Sequence, residues 1–153
     1  MKKYLVIGNP IEHSLSPKLH NYWIKENNIN AIYDKKLLDE NSIQEVIEEL
    51  KNEKIHGINV TVPFKKSVIP FLDQLSPLAK EVQSVNTIFK KDNKVIGENT
   101  DVGGFKQSLE YINYNVKNKK VFILGAGGVV PSILKALEKL GAAKVYISNR
   151  TKE

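Results

Sequence analysis

The sequence predicts an α/β fold in two parts, a mixed sheet followed by a separate strand–helix–strand unit. Short apolar runs alternate with segments of helical periodicity, which is the order of a parallel sheet with crossover helices on its faces. Two runs flanking Asp92-Asn93 predict a hairpin, so the first sheet gains antiparallel strands at one edge. A glycine cluster at 125–128 stands between an apolar run and a helical segment, which marks the second part.

Composition and charge exclude several classes of protein. The 153 residues are 41% hydrophobic and 26% charged, as in ordinary globular proteins. The net charge of +6 comes from scattered lysine pairs without interleaved aromatic residues, which argues against a nucleic-acid partner. The chain has no cysteine, so we expect a reducing, cytoplasmic compartment and no thiolate metal site. No apolar run approaches the roughly 18 residues of a membrane span.

The first strand is predicted at Lys3–Ile7 and is closed by the turn residues 8–10. Ser16 before Pro17 predicts a helix with serine as its N-cap and proline at its first position. The helix is expected to bury one face at helical spacing. That face consists of Leu19, Tyr22 and Trp23.

A second strand is predicted at Ala31–Lys36, followed by a crossover helix with a capping box from Ser42 to Glu45. The helix carries a buried apolar stripe, and a third strand at Gly57–Val62 follows it. The alternating residues Ile58, Val60 and Val62 face the core, and Pro63 ends this strand. The stripe is Ile43, Val46, Ile47 and Leu50.

The next segments predict a short helix from Ser76-Pro77 to Val82 and the hairpin strands 85–89 and 94–97. Thr100 or Asp101 is expected to cap a further helix that carries Phe105, Leu109 and Ile112 on one face. We place a domain boundary at this helix, which divides the chain into residues 1–100 and 101–153.

The second part predicts a buried strand at Lys119–Leu124, a helix from about Gly128 to Leu140 and a strand at Lys144–Ser148. The glycines between the first strand and the helix allow close approach of the backbone to a pyrophosphate, and the helix N-terminus offers free amides. We interpret Gly125, Ala126, Gly127, Gly128 and Val129 as a dinucleotide site. The alternative is a tight structural turn, and Pro131 and Ser132 depart from the usual third small residue of the pattern.

Arg150 is the only arginine in the chain, and it follows the last predicted strand. An acidic residue is usual there in NAD-binding proteins, whereas an arginine beside hydroxyl and amide groups suits the 2′-phosphate of NADP. Asn149 and Thr151 supply those groups. We therefore expect NADP, with an exposed arginine at a strand end as the alternative.

Lys65 is the first charged residue past the third strand, at the sheet edge where ligands bind in open α/β sheets. With Asp101 it forms a candidate acid/base pair that could exchange a proton with an alcohol oxygen while a hydride moves at the adjacent carbon. Ser14 and Ser16 could donate to a carboxylate. The alternatives are a solvated lysine at a turn, a helix cap at Asp101 and ordinary loop serines.

Together these segments resemble the shikimate dehydrogenase family. The resemblance extends from end to end of the chain, and the segments occur in the family's order. They are residues 8–17 (GNPIEHSLSP), 59–65 (NVTVPFK), 85–87 (VNT), 99–101 (NTD), 125–128 (GAGG) and 149–151 (NRT).

The resemblance implies a role for each candidate residue. Ser14 and Ser16 would hold the shikimate carboxylate, while Thr61, Lys65, Asn86 and Asp101 would surround the ring hydroxyls, with Asn59 lining the same pocket. Lys65 would be the acid/base group and Asp101 its partner. Residues 125–129 would bind the NADP pyrophosphate, and residues 149–151 the 2′-phosphate.

The resemblance also implies an activity, a domain organisation and a length. The reaction would be reversible reduction of 3-dehydroshikimate to shikimate by NADPH, a step toward chorismate and the aromatic amino acids. Residues 1–100 would be the shikimate-binding catalytic domain, and residues 101–153 a connecting helix and an incomplete Rossmann domain. Family members continue well past this point, so we expect a truncated chain, either monomeric or homodimeric. The alternatives are a quinate/shikimate dehydrogenase that uses NAD and an inactive shikimate-binding fragment.

Overall fold

The computed structural model describes residues 1–151, which form two sheets and five α-helices. The six-stranded sheet contains β1 (Lys2–Gly8), β2 (Ala31–Leu37), β3 (Gly57–Val60), β4 (Gln74–Leu75), β5 (Thr87–Lys91) and β6 (Lys94–Glu98), and the two-stranded sheet contains β7 (Lys120–Leu124) and β8 (Lys144–Ser148). The helices are α1 (Ser16–Glu26), α2 (Ile43–Lys51), α3 (Pro77–Val82), α4 (Asp101–Tyr111) and α5 (Val130–Lys139), with 3-10 turns at Glu40–Ser42 and Ile69–Phe71.

The larger sheet is mixed, as the sequence predicts. Its strand order is β2-β1-β3-β5-β6-β4, with β1 parallel to both β2 and β3. The hairpin strand β5 is antiparallel to β3 and to β6. Asp92 and Asn93 have φ values of 50° and 59°, the left-handed conformation that a tight hairpin turn requires. The two-residue strand β4, which the sequence does not predict, pairs with β6 at the edge.

The main core lies between this sheet and α2. The four apolar residues of the predicted stripe, Ile43, Val46, Ile47 and Leu50, are at most 1% exposed. They pack in one cluster with strand residues that include Ile7 of β1 and Ile88 of β5. The periodicity therefore predicts the buried face of this helix correctly.

Both predicted serine caps, Ser16 and Ser42, are wrong. Ser16 is the first residue of α1 rather than its cap, and its backbone N–H points instead to Ser14 Oγ at 3.4 Å. Ser42 precedes α2, but it closes a 3-10 turn at φ −96° and ψ 3°, and its side chain makes no cap bond. A capping serine needs extended backbone. Ser76 has this extended backbone, with ψ 156°, and its Oγ accepts from the N–H of Ala79 at 3.1 Å.

The predicted buried face of α1 is also wrong. Leu19, Tyr22 and Trp23 are 47%, 59% and 48% exposed, and no residue of the helix is buried. The helix is held to the edge strand β2 by a polar contact instead, in which the Asn21 side chain bonds to both the N–H and the carbonyl of Tyr33, at 2.9 and 2.7 Å.

Strand β3 ends at Val60, two residues before its predicted end, and Val62 is 54% exposed. Thr61 still donates to the carbonyl of Ile7 at 3.0 Å, but the chain then turns, with a bond from Phe64 N to Thr61 O at 3.0 Å. Phe64 enters the core and is 2% exposed. The turn therefore buries Phe64 rather than Val62.

The helix α4 and the final unit follow the predicted order with four differences. Neither predicted residue caps α4 with its side chain; Asn99 Oδ1 accepts from the N–H of Val102 at 3.2 Å instead. Ile112 lies past the helix end and is 64% exposed, and α5 begins at Val130.

Strands β7 and β8 pair in parallel as predicted. The expectation of a buried strand β7 is wrong, because no second layer covers Phe122 and Leu124, which are 62% and 82% exposed.

Candidate active site

Lys65 and Asp101 meet at the carboxyl end of β3, as the sequence predicts. Lys65 lies in the turn that follows this strand, and Asp101 is the first residue of α4. The distance from Lys65 Nζ to Asp101 Oδ2 is 2.6 Å, and the side chains are 12% and 21% exposed. The pair is therefore shielded from bulk water but still reachable, which is the environment in which a lysine can exchange a proton with a bound ligand.

Asn86 orients the carboxylate of Asp101. Its Nδ2 donates to Asp101 Oδ1 at 2.9 Å and to Thr100 Oγ1 at 2.8 Å, while its Oδ1 accepts from the backbone N–H of Thr100 at 2.9 Å. The two oxygens of Asp101 thus face two different donors, Asn86 and Lys65. The carbonyl of Lys65 accepts from the N–H of Val85 at 2.8 Å, so the lysine turn is tied to the segment that carries Asn86.

A second set of polar side chains extends from this cluster toward β2. Asn59 Nδ2 lies 3.2 Å from both the carbonyl of Asn86 and the hydroxyl of Thr87, and Asn59 Oδ1 accepts from the Tyr33 hydroxyl at 2.7 Å. Tyr33 is 4% exposed. Burial raises the pKa of Tyr33 to about 12, although a hydrogen bond with the Ser16 side chain acts in the opposite direction. Tyr33 therefore stays neutral and connects the serine loop to Asn59.

Ser14, Ser16 and Thr61 line one cavity of about 240 Å³, together with His13. The cavity lies where the loop after β1 meets the turn after β3. A bond from Asn9 N to Val62 O at 3.0 Å joins the two loops, and Gly8 allows their close approach. A Cβ at Gly8 would lie 2.6 Å from Thr61 Cγ2 and 3.1 Å from the Val62 carbonyl oxygen. A small cavity lined by three hydroxyl-bearing residues suits a carboxylate or a polyol.

The glycine turn connects β7 to α5. Gly125 has φ +97° and donates to the carbonyl of Ser148 at 2.7 Å, so a residue with a side chain would be strained there. A Cβ at Gly127 or Gly128 would meet nothing within 4 Å. Packing within the chain therefore does not require glycine at these two positions, and the space beside them is open. This open backbone at a helix N-terminus fits a pyrophosphate.

The segment Asn149–Thr151 leaves the carboxyl end of β8, at the edge of the sheet that also carries the glycine turn. Leu124 pairs with Ser148 at this edge, and the three residues that follow are exposed. Asn149 Nδ2 bonds to the carbonyl of Thr151 at 3.0 Å, which shapes the turn around Arg150. A basic, acid-free segment beside the glycine turn fits the 2′-phosphate of NADP.

The predicted site residues thus form three groups. Lys65, Asn86 and Asp101 share a hydrogen-bonded cluster, Ser14, Ser16 and Thr61 line a cavity, and residues 125–129 and 149–151 lie at the end of the smaller sheet. Sequence reasoning missed Tyr33, Thr87 and Thr100 as parts of the polar network. Tyr33 sits inside a strand pattern like any core aromatic residue, and no sequence signal distinguishes it.

Residues 1–151 contain neither a metal-binding cluster nor a membrane-spanning helix. Within that range, no group of three or more histidine or acidic side chains is arranged to hold a metal ion. None of the helices in the same range combines the length and the apolar character needed to cross a bilayer.

Comparison with known proteins identifies relatives along the whole chain. A family model described as the shikimate dehydrogenase substrate binding domain matches residues 6–88. The chain is 65% identical over 150 residues to the shikimate dehydrogenase (NADP(+)) of Pelagibacter ubique, and the match covers 98% of this chain and 57% of the relative.

Solved structures agree in fold. The crystal structure of shikimate dehydrogenase from Aquifex aeolicus matches with a TM-score of 0.92 and 43% identity, over 100% of this chain and 57% of that one. The enzyme from Thermus thermophilus, solved with NADP(H) and shikimate, matches with a TM-score of 0.89 and 30% identity, over 99% of this chain and 57% of that one. The chain therefore spans a little over half of the length of these relatives.

Proposed function

Because this chain belongs to the family of the shikimate dehydrogenase substrate binding domain, we propose that its protein reduces 3-dehydroshikimate reversibly to shikimate with NADPH, on the route to chorismate and the aromatic amino acids. The observation that carries the proposal is the contact of 2.6 Å between Lys65 Nζ and Asp101 Oδ2, with Asn86 on the other carboxylate oxygen. This arrangement supplies a positioned proton donor for a ketone oxygen.

Lys65 is the acid/base group in this proposal. NADPH held by residues 125–129 and 149–151 would supply the hydride that the carbonyl carbon of the substrate receives in the reduction. Lys65 gives a proton from Nζ to the carbonyl oxygen, which becomes the hydroxyl, and a solvent proton restores the ammonium. In the reverse direction, neutral Lys65 takes the proton from that hydroxyl. Asp101 keeps Nζ in place in both directions.

The remaining candidate residues bind and orient the two small molecules. Ser14 and Ser16, which line the cavity together with Thr61, donate to the substrate carboxylate. Thr61, Asn86 and Asp101 bond to the ring hydroxyls. Gly125, Ala126, Gly127, Gly128 and Val129 hold the pyrophosphate of NADP, and Asn149, Arg150 and Thr151 hold its 2′-phosphate.

The domain division at residue 100 stays part of this proposal. Residues 1–100 contain the six-stranded sheet and bind shikimate, while residues 101–153 contain α4 and the first unit of the nucleotide-binding domain; residues 152 and 153 lie outside the described part of the chain. We also propose a cytoplasmic protein, either a monomer or a homodimer, because a chain without cysteine fits a reducing compartment.

Calorimetric titration of the 153-residue chain with shikimate tests the substrate site. Lys65→Ala should weaken binding about tenfold or more, since it removes a charge-assisted hydrogen bond and leaves Asp101 without its cation. Lys66→Ala is the matched control, because Lys66 is exposed and adjacent, and it should bind as the unaltered chain does. Equal loss in both variants, or no binding by a folded chain, would contradict the proposed site.

Comparison of NADP⁺ with NAD⁺ tests the cofactor and separates the two enzyme alternatives. The unaltered chain should bind NADP⁺ more tightly, and Arg150→Ala should reduce that preference about tenfold by removing the cation that faces the 2′-phosphate. A preference for NAD⁺ would favour a quinate/shikimate dehydrogenase. Binding of both ligands without appearance of NADPH absorbance would favour a shikimate-binding module without turnover.

A further inference from the structure

Three polar side chains are buried where the larger sheet meets α5, the helix that follows the glycine turn. Ser84, Asn99 and Ser132 are 2%, 3% and 0% exposed. They come from separate segments: Ser84 precedes β5, Asn99 lies between β6 and α4, and Ser132 lies in the first turn of α5. The proposed reaction assigns a task to none of them.

The side-chain amide of Asn99 joins these segments. Its Nδ2 donates to the carbonyl of Ser84 and to the hydroxyl of Ser132, each at 2.9 Å, and its Oδ1 accepts from the N–H of Val102 at 3.2 Å. Both amide hydrogens are used. Only this orientation suits the partners, because Val102 N is a donor and Ser84 O is an acceptor.

Each partner of Asn99 leads to a different part of the site. Val102 follows Asp101 in α4, and Ser84 lies two residues before Asn86. Ser132 belongs to the helix that begins at the glycine turn, and Ser84 Oγ adds a bond to the Gly128 carbonyl at 3.3 Å. The acid/base pair, its orienting asparagine and the glycine turn therefore all connect to one amide group.

We propose that Asn99 is a positioning residue that fixes the glycine turn relative to Lys65 and Asp101. The inference rests on the proposed function, because it concerns the alignment of cofactor and substrate in that reaction. Hydride transfer requires the two reacting carbons in near contact, and a misplacement of about 1 Å costs about 10²-fold in rate. A fully satisfied buried network is rigid, which suits this task.

Nuclear magnetic resonance of the 17.3 kDa chain, titrated with NADP⁺, tests the inference. In the unaltered chain, NADP⁺ should shift the backbone amides of the glycine turn and also the Asn99 side-chain amide and the Val102 backbone amide. Ser132→Ala removes one hydroxyl at nearly constant volume and cuts the link between Asn99 and α5. Its glycine amides should still shift, whereas the response at Val102 should be lost.

Two other variants make the result decisive. Ser108→Ala is the matched control, because Ser108 is exposed on α4 and bonds only to the carbonyl of Phe105; it should keep the full response. Ser84→Ala removes the bond from Ser84 Oγ to the Gly128 carbonyl and should reduce the Val102 response in part. The inference therefore stays testable if Ser132→Ala does not fold.

The outcomes separate this inference from the proposed function. If NADP⁺ shifts the glycine amides of the unaltered chain but not the Val102 amide, the inference is overturned and NADP binding stands. A full Val102 response in folded Ser132→Ala would have the same two consequences. If Ser132→Ala weakens all the responses together, including the glycine shifts, then Ser132 has only a structural role and the inference is also overturned. No shift anywhere on addition of NADP⁺ would contradict the proposed cofactor, and the inference with it.

Discussion

Two of the crossover helices, α2 and α5, have similar sequence patterns and very different surroundings. Both helices bury four residues. Those of α2 are all large aliphatic side chains that pack against a six-stranded sheet. Those of α5 include Ser132 and Ala136, and its sheet has two strands. In these two helices the apolar periodicity matches the face that turns inward, whereas the number of neighbouring layers determines how much that face stabilises the fold.

The strands show the same contrast. Val6 and Ile7 in β1 are 3% and 0% exposed, while Phe122 in β7 and its register partner Tyr146 in β8 are 62% and 41% exposed. An isolated pair of strands has one face without a partner, so its apolar residues remain in water. The proposed substrate site therefore rests on a packed region, and the proposed cofactor site on a thinly packed one.

A matched pair of isoleucine substitutions tests this contrast and should give the largest effect. Ile7→Ala should lower the free energy of unfolding by about 2–5 kcal/mol, because it removes buried methyl groups and leaves a cavity. Ile147→Ala should change it by less than about 1 kcal/mol, because the side chain is already half exposed. Urea unfolding followed by circular dichroism measures both values, and similar losses would show that the two regions are equally packed.

The pH dependence of stability should reflect Tyr33, the buried tyrosine of the first region. Its pKa is raised to about 12, so between pH 10 and 12 the unfolded chain loses this proton while the folded chain keeps it. Stability that is fully present below pH 10 should fall by about 2 kcal/mol as the pH rises through that window.

Tyr33→Phe isolates this contribution. The variant loses the bond to Asn59 at every pH, but its stability should decline less between pH 10 and 12 than that of the unaltered chain. Tyr146→Phe in β8 is the control, because Tyr146 is 41% exposed. Parallel declines in the Tyr33→Phe chain and the unaltered chain would show that another group titrates in this window.

Most of the first region could be predicted from the sequence because its signals are local. The hairpin turn at Asp92-Asn93, the stripe on α2 and the helix that starts at Ser76-Pro77 depend on neighbours a few residues away, and all three predictions are confirmed. The buried face of α1 and the end of β3 depend on which distant residue fills a space. Phe64 fills the core beyond β3 in place of Val62, and no periodicity of the strand itself could show this.

The candidate site divides in the same way. Lys65 and Asp101 could be named from motifs and from the edge of the sheet at which they lie, and the structure brings them together. Tyr33 could not be named, since its bond to Asn59 joins strands far apart in sequence. Thr87 and Thr100 lie within the quoted motifs, but the motifs do not show which side chains they contact. The contact between Lys65 and Asp101 is observed, but the roles of all the candidate site residues stay predictions.

The smallest effect is expected from two glycine substitutions, one in each region. Gly8→Ala should cost about 1 kcal/mol, the low end for over-packing, because the Thr61 methyl group can rotate away but the Val62 carbonyl at 3.1 Å cannot. It should also weaken shikimate binding, since it pushes apart the two loops that line the serine cavity. Gly127→Ala meets no atom within 4 Å, so its stability should stay within about 0.5 kcal/mol of the unaltered value.

The second substitution decides what the glycine turn does. If Gly127 is glycine so that a pyrophosphate can approach the backbone, Gly127→Ala should weaken NADP⁺ binding about tenfold while leaving shikimate binding unchanged. Gly8→Ala should weaken shikimate binding and leave NADP⁺ binding unchanged. Thermal unfolding and separate titrations with the two ligands measure all four values. Unchanged NADP⁺ affinity in Gly127→Ala would mean that the open space beside this residue is not where the cofactor binds.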